Sequence, residues 1–197
     1  NHDFNNTSSK QKAGDYLIQH GLERPKIIET WDEDNSSNSL MNSRVDYHVV
    51  ENAELEVTKL QSIGSVTRLI NQDFVNQDGN SRFTAHTVSM QGKLIRNNLN
   101  IDLNGQGSEC NMNGLYMARG SEHIDNHTHI NHLVPHCESN ELYKGILNEK
   151  SKGVFNGKVI VGRDAQKTNA FQYNGNILLT DDCQVYSKPE LEIYADD

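Results

Sequence analysis

Along most of this chain apolar and polar residues alternate in brief runs: Glu54-Leu55-Glu56-Val57, Leu99-Asn100-Ile101-Asp102-Leu103, Lys158-Val159-Ile160-Val161 and Glu190-Leu191-Glu192-Ile193-Tyr194. A period of two sends one face of an extended chain into a core and the other into water, so each run predicts a short half-buried strand. The inward set on this reading includes Leu99, Ile101, Ile124, Ile130, Val159, Val161, Leu191 and Ile193. Lys188 to Tyr194 reads as a strand entered through Pro189, a position where a missing N–H costs no ladder bond. Helical periodicity is nearly absent; its best candidate, Lys12 to His20 (KAGDYLIQH), stops before Gly21. The segments NNTSSKQK and WDEDNSSNSLMNS are polar and rich in Asn and Ser, which predicts loop, with the patterned text starting near Val45.

Between the runs a turn residue followed by a small one recurs, at Asn52-Ala53, Gly107-Ser108, Gly120-Ser121, Lys150-Ser151, Asp164-Ala165 and Asp182-Cys183. The last five small residues lie 13, 30, 14 and 18 positions apart, and the 30 fits two units of 15. Repeats near that length, with strands and no helices between them, suit a solenoid of stacked strands. A sandwich of short strands shows similar punctuation. In a solenoid the terminal turns need a cap or a partner, because an open strand edge invites another strand.

Composition narrows the functional classes. With 18 basic and 27 acidic residues the net charge is -9, which argues against broad electrostatic binding to nucleic acid or to an anionic membrane surface. No run of 18 apolar residues and no signal peptide is present, and Cys110, Cys137 and Cys183 are too few and too dispersed for a disulfide framework. A soluble protein of a reducing compartment, the cytoplasm, is the expectation. No GxxxxGK[ST], GxGxxG, HExxH or GxSxG sequence occurs. Arg96-Asn97-Asn98, Lys144-Gly145 and Asp164 to Thr168 read as turn chemistry.

The chemically suggestive stretch is Asp125 to Glu141, DNHTHINHLVPHCESNE. Five of the nine histidines, His123, His127, His129, His132 and His136, fall within fourteen residues, followed by Cys137. If Ile124 to His132 is a strand, Ile124, Asn126, Thr128, Ile130 and His132 share the inward face, and Asp125, His127, His129 and Asn131 the outward one. His127 and His129 would then lie about 6 to 7 Å apart, close enough to chelate one metal if His132 or Cys137 supplied a third ligand. A nucleophilic Cys137 served by His136 is a poorer arrangement, since adjacent residues on an extended chain point apart. The third reading is structural: the polar side chains stack on those of adjacent turns and bond to one another.

The strings LIRNNLNIDLNGQGSECNMNGLY, HIDNHTHINHLVPHCESNELYKGIL, KGVFNGKVIV, RDAQKTNA and KPELEIYADD resemble the core of the SufB/SufD family, on its SufD side. The resemblance runs from about Lys26 to Asp197 and leaves residues 1–25 unplaced, as loop or short helix. It implies an all-β fold, a right-handed parallel β-helix, and a non-catalytic scaffold in iron–sulfur cluster assembly. It also implies pairing with a SufB-like subunit through the ends of the β-helix and work with a SufC-like ATPase. A cluster would be handled transiently by the whole complex, with no cofactor held by this chain. The family's Cys/His segment and its SufC-receiving helices are expected beyond Asp197, so no family ligand maps onto a residue here. His129 and Asn131 stand where the family usually has an apolar residue and an Asp, which makes the HxH pair peculiar to this chain. The terminal strand edge, Glu190, Leu191, Glu192, Ile193 and Tyr194, is the candidate interface, and in the chain alone a homodimer through that edge is expected. Two rivals from other classes remain: a β-helical polysaccharide lyase or hydrolase, and a zinc-dependent enzyme centred on His127 and His129.

Overall fold

A computed structural model describes residues 25–32 and 38–196. Twelve strands follow one another: β1 (Lys26–Asp32), β2 (Leu40–Val49), β3 (Glu54–Ser62), β4 (Arg68–Gln77), β5 (Arg82–Gln91), β6 (Leu94–Leu103), β7 (Glu109–Ala118), β8 (His123–His132), β9 (Glu138–Leu147), β10 (Lys152–Val161), β11 (Asn169–Leu178) and β12 (Gln184–Ile193). Odd strands form one parallel sheet in the order β1-β3-β5-β7-β9-β11, and even strands form the other, β2-β4-β6-β8-β10-β12. The chain crosses between the sheets at every corner, so each pair of strands is one turn of a six-turn β-solenoid. There is no helix among the described residues, and none there is long and apolar enough to cross a membrane. The expected β-helix is therefore the observed architecture. The helix candidate Lys12–His20 and the segment NNTSSKQK lie outside the described residues.

Most strands hold ten residues, longer than the runs of apolar alternation suggest. β6 shows why. Its inward positions are Ile95, Asn97, Leu99, Ile101 and Leu103, so a buried Asn interrupts the apolar period without ending the strand. Asn97 is satisfied by two neighbours: Gln61 Nε2 donates to its Oδ1 (2.7 Å), and its Nδ2 donates to Gln61 Oε1 (3.2 Å) and Asn126 Oδ1 (3.0 Å). Arg96-Asn97-Asn98 and Lys144-Gly145 thus lie within β6 and β9 and are not turns. The same effect corrects the N-terminal reading. Patterned strand starts at Lys26, well before Val45, and Leu40–Ser43 belong to β2. Trp31, at 8% exposure, is part of the core.

The two inner faces meet in two apolar clusters; in the larger, Tyr47 against Phe83 (ring centroids 5.9 Å apart) and Tyr143 against Phe155 (5.1 Å) reach across from opposite sheets, and the smaller gathers Trp31, Ile63, Leu69, Ile95, Ile124 and Leu147. Ser108, Ser151, Ala165 and Cys183 are buried at the corners, as their spacing predicts, but Ser121 is exposed and Glu122 turns inward instead. There Glu122 Oε2 accepts from the Arg119 N–H (2.9 Å), which satisfies a buried carboxylate. The spacing of 30 between Ser121 and Ser151 conceals the corner residue Cys137, buried at 2% exposure. Stacking also fixes Gly105, where a Cβ would land on the backbone of Asp78 and Gly79 in the corner below.

Polar side chains fill part of the first two turns. Lys59 Nζ lies 2.6 Å from Asp73 Oδ2 and 3.4 Å from Glu29 Oε2, and Tyr47 donates to Glu29 Oε1 (3.1 Å). Burial works against the charge on Lys59, but Asp73 and Glu29 outweigh it and hold its pKa above the ordinary lysine value. A cavity of about 10 Å³ adjoins the cluster, room for about one water.

Candidate functional site: the histidine strand and the open last turn

β8 occupies the middle of the even sheet, with β6 and β10 on either side. Its alternation is as the sequence predicts: Ile124, Asn126, Thr128, Ile130 and His132 are buried inward residues, and His127, His129 and Asn131 lie on the outer face, half-buried. Asp125 departs from the pattern. It faces outward yet is only 8% exposed, because Arg96 Nη1 and His127 Nε2 each close on one of its oxygens at 2.8 Å. Burial pushes its pKa up, but the close contact with His127 and the charges of Arg96 and His123 outweigh that and hold it below the usual carboxylate value.

The four metal candidates are not brought together. His127 is engaged by Asp125, and His129 shares its face; His132 lies on the opposite, inward face, and Cys137 sits at the corner beyond. His132 Nε2 pairs with Ser139 Oγ (2.9 Å), and burial lowers its pKa to about 4. Ser108 Oγ donates to Cys137 Sγ (3.3 Å), whose other contacts are the carbonyls of Gly105 (3.4 Å) and Pro135 (3.6 Å). Among the described residues no group of three or more His, Cys, Asp or Glu side chains is placed to hold a metal ion. His136 adopts a left-handed backbone (φ 62°) on the exposed corner while Cys137 is buried, so the two point apart. Trp31, the single tryptophan, is buried and offers no platform for a sugar ring.

The other candidate is the last turn. β12 pairs with β10 alone and is the edge of its sheet. Pro189 lies at its middle rather than at its start, opposite Gly157; an edge strand tolerates Pro there because one side has no ladder to break. Leu191 and Ile193 pair with the buried Val159 and Val161, so they hold inward positions. Nonetheless they are 56% and 62% exposed, in contrast to the expected core set, because among the described residues β12 is the edge of its sheet. Tyr194, at 57%, follows on the same end, and Lys158 Nζ holds Glu192 Oε1 at 2.8 Å. The edge predicted from Glu190 to Tyr194 is therefore an open apolar strand.

Comparison with known proteins fits this geometry. The family model described as "SUF system FeS cluster assembly, SufBD core domain" matches residues 17–197. The chain belongs to the SufBD core family. Among relatives of this family, the iron–sulfur cluster assembly protein SufD of Escherichia coli (strain K12) is 31% identical over 172 residues, covering 87% of this chain and 40% of that protein. Protein ABCI7, chloroplastic, of Arabidopsis thaliana is 31% identical over 182 residues, 92% of this chain and 38% of its own length. A SufBD family protein of Synechocystis is 33% identical over 146 residues, 74% of this chain and 32% of its own length. This chain thus spans about two fifths or less of the curated relatives it matches.

Proposed function

We propose that this chain is the solenoid core of a SufD-type scaffold subunit that serves iron–sulfur cluster assembly without catalysing a reaction itself. It pairs with a SufB-like subunit and works with a SufC-like ATPase, in the cytoplasm. The cluster is cargo of the whole complex, and this segment holds no cofactor of its own. The observation that carries the reading is that the SufBD core family model matches residues 17–197 of a chain folded as a parallel β-solenoid. The outward His127 spends its Nε2 on Asp125, which supports a structural role for the histidine strand.

Co-expression of the full-length gene product with SufB-like and SufC-like subunits tests the proposal. The expected result is one complex on gel filtration whose cluster transfer to an apo-ferredoxin falls when this subunit is omitted. Separate elution with unchanged transfer sinks it. The double variant His127→Ala, His129→Ala is expected to leave bound iron and zinc unchanged by elemental analysis. A stoichiometric loss of either metal would transfer the role to the HxH pair.

A further inference from the structure

The outer face of the odd-numbered sheet carries a group that this role does not use. Lys144, on β9, is exposed, and its ladder neighbours on that face are Leu115 of β7 and Gly175 of β11. Along its own strand the next outward residues are Leu142 and Ile146, while Met117, Ile177, Tyr173 and the one polar neighbour, Asn113, stand at the diagonals. Leu115, Met117, Leu142 and Ile177 are 40%, 43%, 40% and 59% exposed. Lys144 is thus a lone ammonium in an apolar frame, with no ion pair among the described residues. Beside it the ring of Tyr173 leans over Gly175, where a Cβ would lie 3.0 Å from it.

We propose that this face docks an amphipathic α-helix of a partner protein, apolar side down on the frame, with one Asp or Glu set against Lys144. Contiguous exposed apolar surface of this kind marks an interaction site, and the central cation states the charge that its partner must bring. Covering the frame strips water from the ammonium, which is costly unless a carboxylate replaces that water. The dimensions suit a helix. Three strands span about 10 Å and Leu142 to Ile146 about 13 Å, the width of one helix and the length of some nine residues of it. A small amphiphilic acid fits less well, since the face is open and would leave most of it wet. An extended peptide gains nothing here either, because the backbone groups under this face already bond within the sheet. A second copy laid on the same frame brings another lysine and no carboxylate. The inference stands on this face alone and not on the role in cluster assembly.

The test is photo-crosslinking of the full-length protein in its own cells, with benzoylphenylalanine placed at Leu115 and, separately, at Ile177. The expected product is one partner segment, identified by mass spectrometry, with apolar residues at helical spacing and an acidic residue among them. Lys144→Glu is expected to lower the crosslink yield about tenfold, and Lys144→Gln less, with circular dichroism unchanged. Exchange of the partner's acid for Lys restores the yield with Lys144→Glu. The proposal is overturned if no crosslink forms, if the crosslinked segment lacks an acidic residue, if the product is a second copy of this chain, or if the yield ignores the charge of residue 144.

Discussion

His132 owes its chemistry to where its ring lies. In β8 it is one of several histidines in a polar string; in the solenoid its ring is fully buried, bonded to Ser139, and its pKa falls to about 4. The unfolded chain takes up a proton near pH 6.5, while the folded chain resists until about pH 4. The contribution to stability is therefore complete above about pH 6.5, is lost as pH falls from there to about 4, and changes no further below. Over that window the loss is about 2 to 3 kcal/mol. Urea unfolding near neutral and near pH 4.5 should show this loss in the native sequence and a smaller one in His132→Asn. An equal loss in both proteins would assign the pH dependence elsewhere. Which histidines turn inward was legible from alternation with Ile124 and Ile130. That Asp125 would be buried was not, because Arg96, its partner, is 29 residues away and becomes a neighbour only through the pairing of β6 with β8.

At the scale of the strand, a residue's energetic weight depends on its turn as much as on its register. Ile101, Ile130, Val159 and Leu191 occupy one inward row across β6, β8, β10 and β12. Ile130 is wholly buried, whereas Leu191 is more than half exposed on the edge strand. Ile130→Ala should cost about 2 to 4 kcal/mol through the cavity it leaves, and Leu191→Ala less than about 1 kcal/mol. Chemical denaturation of both variants checks this; equal costs would mean that Leu191 is covered. The buried cluster of Glu29, Lys59 and Asp73 ties edge strand β1 to β3 and β4. Lys59→Met strands two carboxylates and should cost about 3 to 5 kcal/mol. Adding Asp73→Leu and Glu29→Leu should recover much of that. A triple variant no more stable than the single one would show that the charges themselves hold the turn. Alternation from Leu55 and Val57 puts position 59 on the inward face, but a lysine there reads as a break in the pattern until Asp73 and Glu29 are seen to reach it.

At the scale of the whole solenoid, β12 is the edge of its sheet among the described residues, and Leu191, Ile193 and Tyr194 beside it are each more than half exposed. The 197-residue chain on its own should therefore self-associate through that edge, opposed only weakly by the terminal aspartates. Light scattering across a concentration series should show a dimer that Leu191→Lys with Ile193→Lys returns to monomer. A monomer at every concentration in the native sequence would mean that the edge is protected. The face around Lys144 is a separate surface on the side of the solenoid, so the two contacts can be tested independently.

The sequence by itself determined that the chain is built of short strands and which faces of the patterned ones turn inward, because period-two alternation is a local property of the chain; its punctuation did not separate a solenoid from a sandwich, and the β-helix followed from the family resemblance. It also carried the family resemblance, in long strings such as HIDNHTHINHLVPHCESNELYKGIL. The tertiary structure alone decided which polar residues could be buried and which apolar ones stay exposed. Asn97 and Lys59 are tolerated inside because partners from other strands reach them, while Leu191, in inward register with Val159, is more than half exposed on the edge strand. Lys144 acquired its apolar frame in the same way, from strands β7 and β11 that lie about 30 residues away along the chain and next to it in the sheet.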